Sequence, residues 1–360
     1  MVTEPQIRFY LGANSPTGFY SLYNQLMDPA EAEDIMILKG GPGCGKSSLM
    51  RRVAGIMEQH NQTVEYIQCS GDPDSLDAII LPSLKTAIVD GTAPHVVEPV
   101  CPGAVERYVN LGAFYDREGL RNLRSDITAC NNAYKGHYQR AYRCLGASAQ
   151  ILEDTRALLC TQELETKITK RVKGIFRREI KKSGGDGGRS VQRFLGAITW
   201  QGVLCNFDTV DSICSRVYEL ADGFGLSHIM LTHLASGAMA AGYDVISCPS
   251  LMAPDRMEHL LIPGLSLAFV TSTPTLPYLG TPYRRIRVDA MADPEIIHRS
   301  KARLRFSRKV FNALVEEAVT SLAQAKTLHD ELEQFYNPYV DFDGVYRTAE
   351  EITTELLGRL

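Results

Sequence analysis

Apolar runs at 35–39, 64–69 and 84–89 predict strands, and the stretches between them predict helices. In the first of those helices Leu49, Met50, Val53 and Ile56 recur at helical spacing. Strand and helix in alternation read as α/β, a parallel sheet with covering helices. The pattern then turns helical. Residues 117–182 carry no proline and predict a helical hairpin, and residues 293–336 predict its counterpart. Within 167–182, eight Lys or Arg face the single Glu179, and Ile168, Val172, Ile175, Phe176 and Ile180 share one helical face. Such a stripe can hold nucleic acid or an anionic surface, but its first reading is a solvated helix whose apolar side packs locally.

The pattern occurs twice. Tyr10-Leu11-Gly12-Ala13 with Gly18 returns as Phe194-Leu195-Gly196-Ala197 with Gly202, and Pro73, Asp74, Pro82 and Ala87 return at a constant offset as Pro254, Asp255, Pro263 and Ala268. Residues 35–38 line up with 217–220, and 64–69 with 243–248. The expected organisation is therefore tandem: a first copy over 1–182 with a helical arm at 117–182, a Gly-rich linker at 183–190, and a second copy over 191–360.

After the first apolar run comes Gly40-Gly41-Pro42-Gly43-Cys44-Gly45-Lys46-Ser47-Ser48, which fits the phosphate-binding loop G-x-x-x-x-G-K-[ST] between a strand and a helix. Its glycines let successive backbone N–H groups converge on an anion at a helix N-terminus. Lys46 is expected on the β and γ phosphates of a nucleotide, and Ser47 on Mg²⁺. Asp90, ending the run at 84–89, takes the Walker-B role of fixing that metal. Cys44 is read as a small filler, the alternative being a thiol whose oxidation blocks the loop. Asp74 and Asp77, like Asp255 and Glu258, have the spacing of a helix N-cap with a capping box. Asp72 is a candidate for orienting water, substrate or metal. His95 is read first as a polar loop residue.

The second copy acts as an internal control. Gly40, Gly45, Lys46 and Ser47 become Asp222, Ser227, His228 and Ile229, while Asp90 becomes Thr271 and Asp72 becomes Ala253. An Asp facing the cradle repels phosphate and Ile cannot hold Mg²⁺. His228 is read as non-ligating. The second copy is thus expected to be degenerate, and the residues it has lost to serve one ligand.

Composition narrows the reading. A net charge of −4 offers no global basic field for nucleic acid, and the nine scattered cysteines contain no C-x-x-C pair. No apolar run is long enough to span a membrane, and the beginning Met1-Val2-Thr3-Glu4-Pro5 lacks the layout of a signal peptide, so a cytoplasmic location is expected.

Through residues 40–47 and 90 the chain resembles the P-loop NTPase superfamily. The combination L-G-A-N-S-P-T-G, G-G-P-G-C-G-K-S, C-S-G-D-P-D-S-L-D and I-V-D-G-T-A-P-H resembles a bacterial family of tandem-repeat P-loop ATPases. That resemblance implies ATP as ligand. The leading expectation is an ATP- and Mg²⁺-dependent ATPase using Lys46 and Asp90, slow because no Glu follows Asp90. One rival is a small-molecule kinase with Asp72 orienting the acceptor. Another is a nucleotide-gated module that binds a protein through its helical arms, or nucleic acid through its basic stripe. Arg51, Arg52, Arg284 and Arg285 are candidate arginine fingers.

Overall fold

The computed structural model describes residues 6–183 and 187–360; the middle of the expected linker, 184–186, lies outside the described residues. In chain order the first half holds β1 (Ile7–Phe9), β2 (Gly12–Ser15), β3 (Gly18–Ser21), β4 (Asp34–Lys39), α1 (Lys46–Gln59), β5 (Glu65–Gln68), β6 (Leu76–Leu81), β7 (Thr86–Asp90), β8 (Glu106–Asn110), α2 (Arg117–Asn122), α3 (Arg124–Leu159) and α4 (Gln162–Glu179). The second half repeats the plan with β9 (Ser190–Gln192), β10 (Gly196–Thr199), β11 (Gly202–Cys205), α5 (Phe207–Ile213), β12 (Arg216–Ala221), α6 (Ser227–Ala240), β13 (Val245–Ser250), β14 (Ala253–Ile262), β15 (Leu267–Ser272), β16 (Arg284–Arg287), α7 (Pro294–Arg299), α8 (Lys301–Tyr336) and α9 (Phe342–Leu357).

The first sheet runs β1-β5-β6-β7-β4-β8 and the second β9-β13-β14-β15-β12-β16, the same order strand for strand. Both are mixed sheets, not the parallel ones expected, because β6 and β14 run antiparallel to both neighbours. These are the segments read as capped helices. The capping-box reading fails because all six residues of β6, Asp77 included, are buried, as a strand hydrogen-bonded on both edges requires. The recurrent Pro82 and Pro263 instead open tight turns that reverse the chain, closed by Lys85 and Ser266 at φ 49° and 48°. Strand pairing also corrects the alignment of the two copies. Ile67 opposes Ala78 as Cys248 opposes His259, so the offset here is 181 residues and the match of 64–69 with 243–248 slips by two.

Tyr10 and Phe194, equivalent residues of the repeat, exchange reciprocal backbone hydrogen bonds of 2.9 Å each. That contact marks a pseudo-twofold relation. A central core drawn from both copies surrounds it, including Leu11, Ile37 and Val89 of the first and Leu195, Val217 and Val270 of the second.

The long helices do not form hairpins within each copy. α3 and α8, each 36 residues, lie antiparallel against one another, joined by Cys130 Sγ to Leu328 O (3.2 Å), Arg140 to Glu317 (2.7 Å) and Arg303 to Asp154. The shorter helices cross over. Leu164, Ile168, Val172 and Ile175 of α4 bury themselves against Leu231, Leu234 and Ala238 of α6 in the second copy. Val345, Ala349, Ile352 and Leu356 of α9 cover Leu49, Val53 and Met57 of α1 in the first. The apolar face beneath the basic stripe is therefore packed, but on the other copy and not locally. No helix among the described residues is long and apolar enough to cross a membrane.

Candidate nucleotide site

β4 delivers the chain into the glycine loop at the sheet's C-terminal edge, and α1 starts at Lys46. Gly43 and Gly45 adopt φ of 67° and 83°, the left-handed conformation that glycine enters without penalty. A Cβ on Gly40 would lie 2.5 Å from Cys44 Sγ, so glycine there makes room for the buried thiol. Cys44 is a filler, 1% exposed.

Lys46 Nζ donates to the carbonyls of Gly40 and Gly41, both at 2.8 Å, and stands 3.5 Å from Asp90 Oδ2. β7 lies beside β4, with Asp90 opposite Leu38, which brings the carboxylate to the loop. Asp90 Oδ1 accepts from the N–H (2.8 Å) and hydroxyl (2.6 Å) of Thr92, leaving Oδ2 facing Lys46. Ser47 Oγ accepts from the N–H of Leu76 at 3.0 Å. A hydroxyl and a carboxylate are hard oxygen donors of the kind Mg²⁺ takes, and both keep lone pairs free.

The end of the second half's long helix covers this loop. A Cβ on Gly43 would meet Asn337 Oδ1 at 2.6 Å and the Glu333 carbonyl at 3.2 Å, and one on Gly45 would meet Val345 at 3.3 Å. Tyr115 stands over Gly41 with its hydroxyl buried and unpartnered, and burial, with the nearby Cys44 thiol, pushes that hydroxyl well above its ordinary pKa.

The remaining candidates separate. Asp72 accepts from Ser75 Oγ (2.9 Å) and lies 3.7 Å from Lys326 of α8. Asp74 is exposed, accepting from Gln201 Nε2 at 3.3 Å. His95, expected in a polar loop, is buried between the rings of Phe19 and Tyr23, with Nε2 3.4 Å from Asp77 Oδ1. Burial raises the Asp77 carboxyl, opposed by His95 and by the hydrogen bond from Tyr23. The four candidate arginine fingers have partners elsewhere: Arg51 on the Asp74 carbonyl, Arg52 on Glu350, Arg284 over Tyr283 and Arg285 on Glu219.

The second copy's loop is closed by its own side chains. Asp222 Oδ1 accepts from the N–H groups of Phe224 (3.0 Å) and Gly225 (2.9 Å), and Oδ2 from that of Ser227 (2.6 Å). The carboxylate takes the backbone donors that a phosphate would need. Asp289 accepts from the Gly223 N–H at 3.0 Å, and Arg156 of α3 donates to the Gly225 carbonyl at 3.1 Å. Ser227 Oγ meets Thr271 Oγ1 at 2.9 Å where the first copy has Gly45 and Asp90. Burial, with Arg156 and Arg256 nearby, lowers His228 to about 4, so it is neutral at pH 7. Sequence reasoning missed Arg156 and Asp289 because neither lies in the loop nor matches a motif.

A cavity of about 620 Å³ opens beside this closed loop, lined in part by Phe311, Val315 and Val319. The corresponding positions on α3, counted from the equal helix starts, are Tyr134, Tyr138 and Tyr142, whose rings contact one another at 5.0 and 5.9 Å.

The strand, loop and helix just described agree with a family to which part of the chain is similar. Residues 35–89 match the AAA domain (dynein-related subfamily). The match begins in β4, covers the phosphate loop and α1, and ends in β7 at Val89, one residue before Asp90. Neither the curated proteins nor the solved structures contain a match to the chain.

Proposed function

We propose that the first copy binds ATP with Mg²⁺ and hydrolyses it slowly, and that the second copy is a closed partner without nucleotide. The observation carrying this reading is the contrast between two loops of one ancestry. In the first, Lys46 stands at the loop with Asp90 facing it; in the second, Asp222 occupies the amide donors.

Lys46 would leave the Gly40 and Gly41 carbonyls for the β and γ phosphates, and the loop amides would hold the same oxygens. Ser47 and Asp90 would hold Mg²⁺, which when bound neutralises charge on the transferring phosphoryl group. Asp90 is also kept from turning by Thr92. No Glu follows it to orient water, which is why turnover is expected to be slow.

The test is ATP turnover without added acceptor, measured across Mg²⁺ concentrations. Asp90→Asn and Ser47→Ala should lower Mg²⁺-dependent turnover more than metal-free nucleotide binding. Unaltered Mg²⁺ dependence in Asp90→Asn would remove that residue from the metal site. A second reading, a nucleotide-gated binding module, draws on the end of α8 lying over Gly43, since a ligand there would press on the end of a 36-residue helix. Binding without turnover would favour it. The kinase reading through Asp72 has less support, because that carboxylate lies beside Lys326.

A further inference from the structure

Beside the loop, and outside the roles given to it, Cys69, Asp77 and His95 bring one ligand atom each to within 4.8 Å of one another. They come from the end of β5, from β6 and from the turn after β7. From these three side chains we infer a transition-metal site of the zinc class, with three protein ligands and a fourth position open.

The geometry is that of ligands and not of a hydrogen-bonded pair. His95 Nε2 and Asp77 Oδ1 are 3.4 Å apart. A charge-assisted hydrogen bond would be about 2.7–2.9 Å, whereas two atoms at tetrahedral angles on zinc, each about 2.0 Å from it, are separated by roughly 3.3 Å. His95 Nε2 is the nitrogen that faces Asp77, while Nδ1 is buried without a hydrogen-bond partner. Thiolate, imidazole and carboxylate together are a donor set for zinc and its neighbours and not for Mg²⁺.

The surroundings hold the set in place. Tyr23 donates to Asp77 Oδ2 at 2.7 Å, which leaves Oδ1 for a metal, the kind of outer support that ligating carboxylates carry. The ring of His95 is fixed by Phe19 and Tyr23, and its backbone by a bond from its N–H to the Thr92 carbonyl at 2.9 Å. Cys69 is fixed by a bond from its N–H to the Ser75 carbonyl at 3.0 Å.

The second copy again supplies the control. At the offset of 181 residues the three positions become Ser250, Glu258 and Leu276. Thiol and imidazole are both gone, in the same copy that has lost Lys46, Ser47 and Asp90. Asp90, which would hold Mg²⁺ under the proposed function, ends the adjacent strand β7, so the two sites would be adjacent and chemically distinct.

The probe is Co²⁺, titrated into the full chain in a phosphine reductant and followed by absorption. The expected result is one equivalent bound with a near-ultraviolet thiolate-to-cobalt band and visible bands of four-coordinate cobalt, the thiol proton passing to solvent. Cys69→Ser should abolish the thiolate band, and His95→Gln should weaken binding at least tenfold. Tyr23→Phe should weaken it about tenfold by loosening Asp77. Cys44→Ser and Lys46→Ala should leave the titration unchanged, so failure of the nucleotide site and failure of this one are separable. Wild-type protein with no thiolate band, or a band of full strength in folded Cys69→Ser, would overturn the assignment.

Discussion

Lys46 carries the nucleotide reading at the scale of single residues. Lys46→Ala should remove most affinity for a fluorescent ATP analogue in equilibrium titration, whereas His228→Ala, altering a neutral buried imidazole beside a closed loop, should leave it nearly unchanged. A pH effect belongs to the second copy. Burial first, and then the neighbouring Asp222, raise Asp289 from the ordinary value of about 4 to about 6. The folded protein therefore holds a proton there that the unfolded chain releases, and the stability this group contributes is present below pH 4 and lost as pH rises through 6. Asp289→Asn keeps an acceptor for Gly223 without the charge. It should flatten that part of the thermal-melting curve against pH and raise the melting temperature at pH 7. Lys46, Ser47 and Asp90 were legible because a contiguous motif and a strand end announce them. Arg156 and Asp289 were not, since they reach the second loop from distant helices and turns, and a sequence carries no sign of which remote side chain fills a lost site.

At the scale of elements the strands were legible where apolar runs were short and continuous, and misread where an acid interrupted them. Asp77 and Glu258 carried the spacing of a capping box, yet the residues after Asp77, Ala-Ile-Ile-Leu, are buried on both faces and pair on both edges. The helices were legible as helices but not as partners, because an apolar face says that something covers it and not what. The exchange of α4 and α9 can be checked by mutation. Leu356 is fully buried against the first copy, and Leu356→Ala should cost about 2–5 kcal/mol. Hydrogen exchange in α1, some three hundred residues earlier, should accelerate with it. On the other side, a Cβ at Gly237 would lie 2.0 Å from the Phe176 ring. Gly237→Ala should therefore cost about 1–3 kcal/mol through overpacking of α4 on α6. A loss below 0.5 kcal/mol in denaturant unfolding of either variant would argue against the exchange.

At the scale of the whole molecule the two copies form a pseudo-dimer within one chain. Matching sheets meet at Tyr10 and Phe194, α3 and α8 run side by side, and each copy lends the other a helix. Such interlocking gives the second copy a structural part whether or not it holds a ligand: removing it would strip α9 from the first copy and leave the shared core half built. It also makes a prediction about number. One loop is furnished with Lys46, Ser47 and Asp90, and the other is filled by Asp222, so the chain should hold one nucleotide. Calorimetric titration of a non-hydrolysable ATP analogue with Mg²⁺, on protein of verified active concentration, measures that number. One site per chain, absent in Lys46→Ala, is expected; two equivalent sites, or a single site that survives in Lys46→Ala, would contradict it.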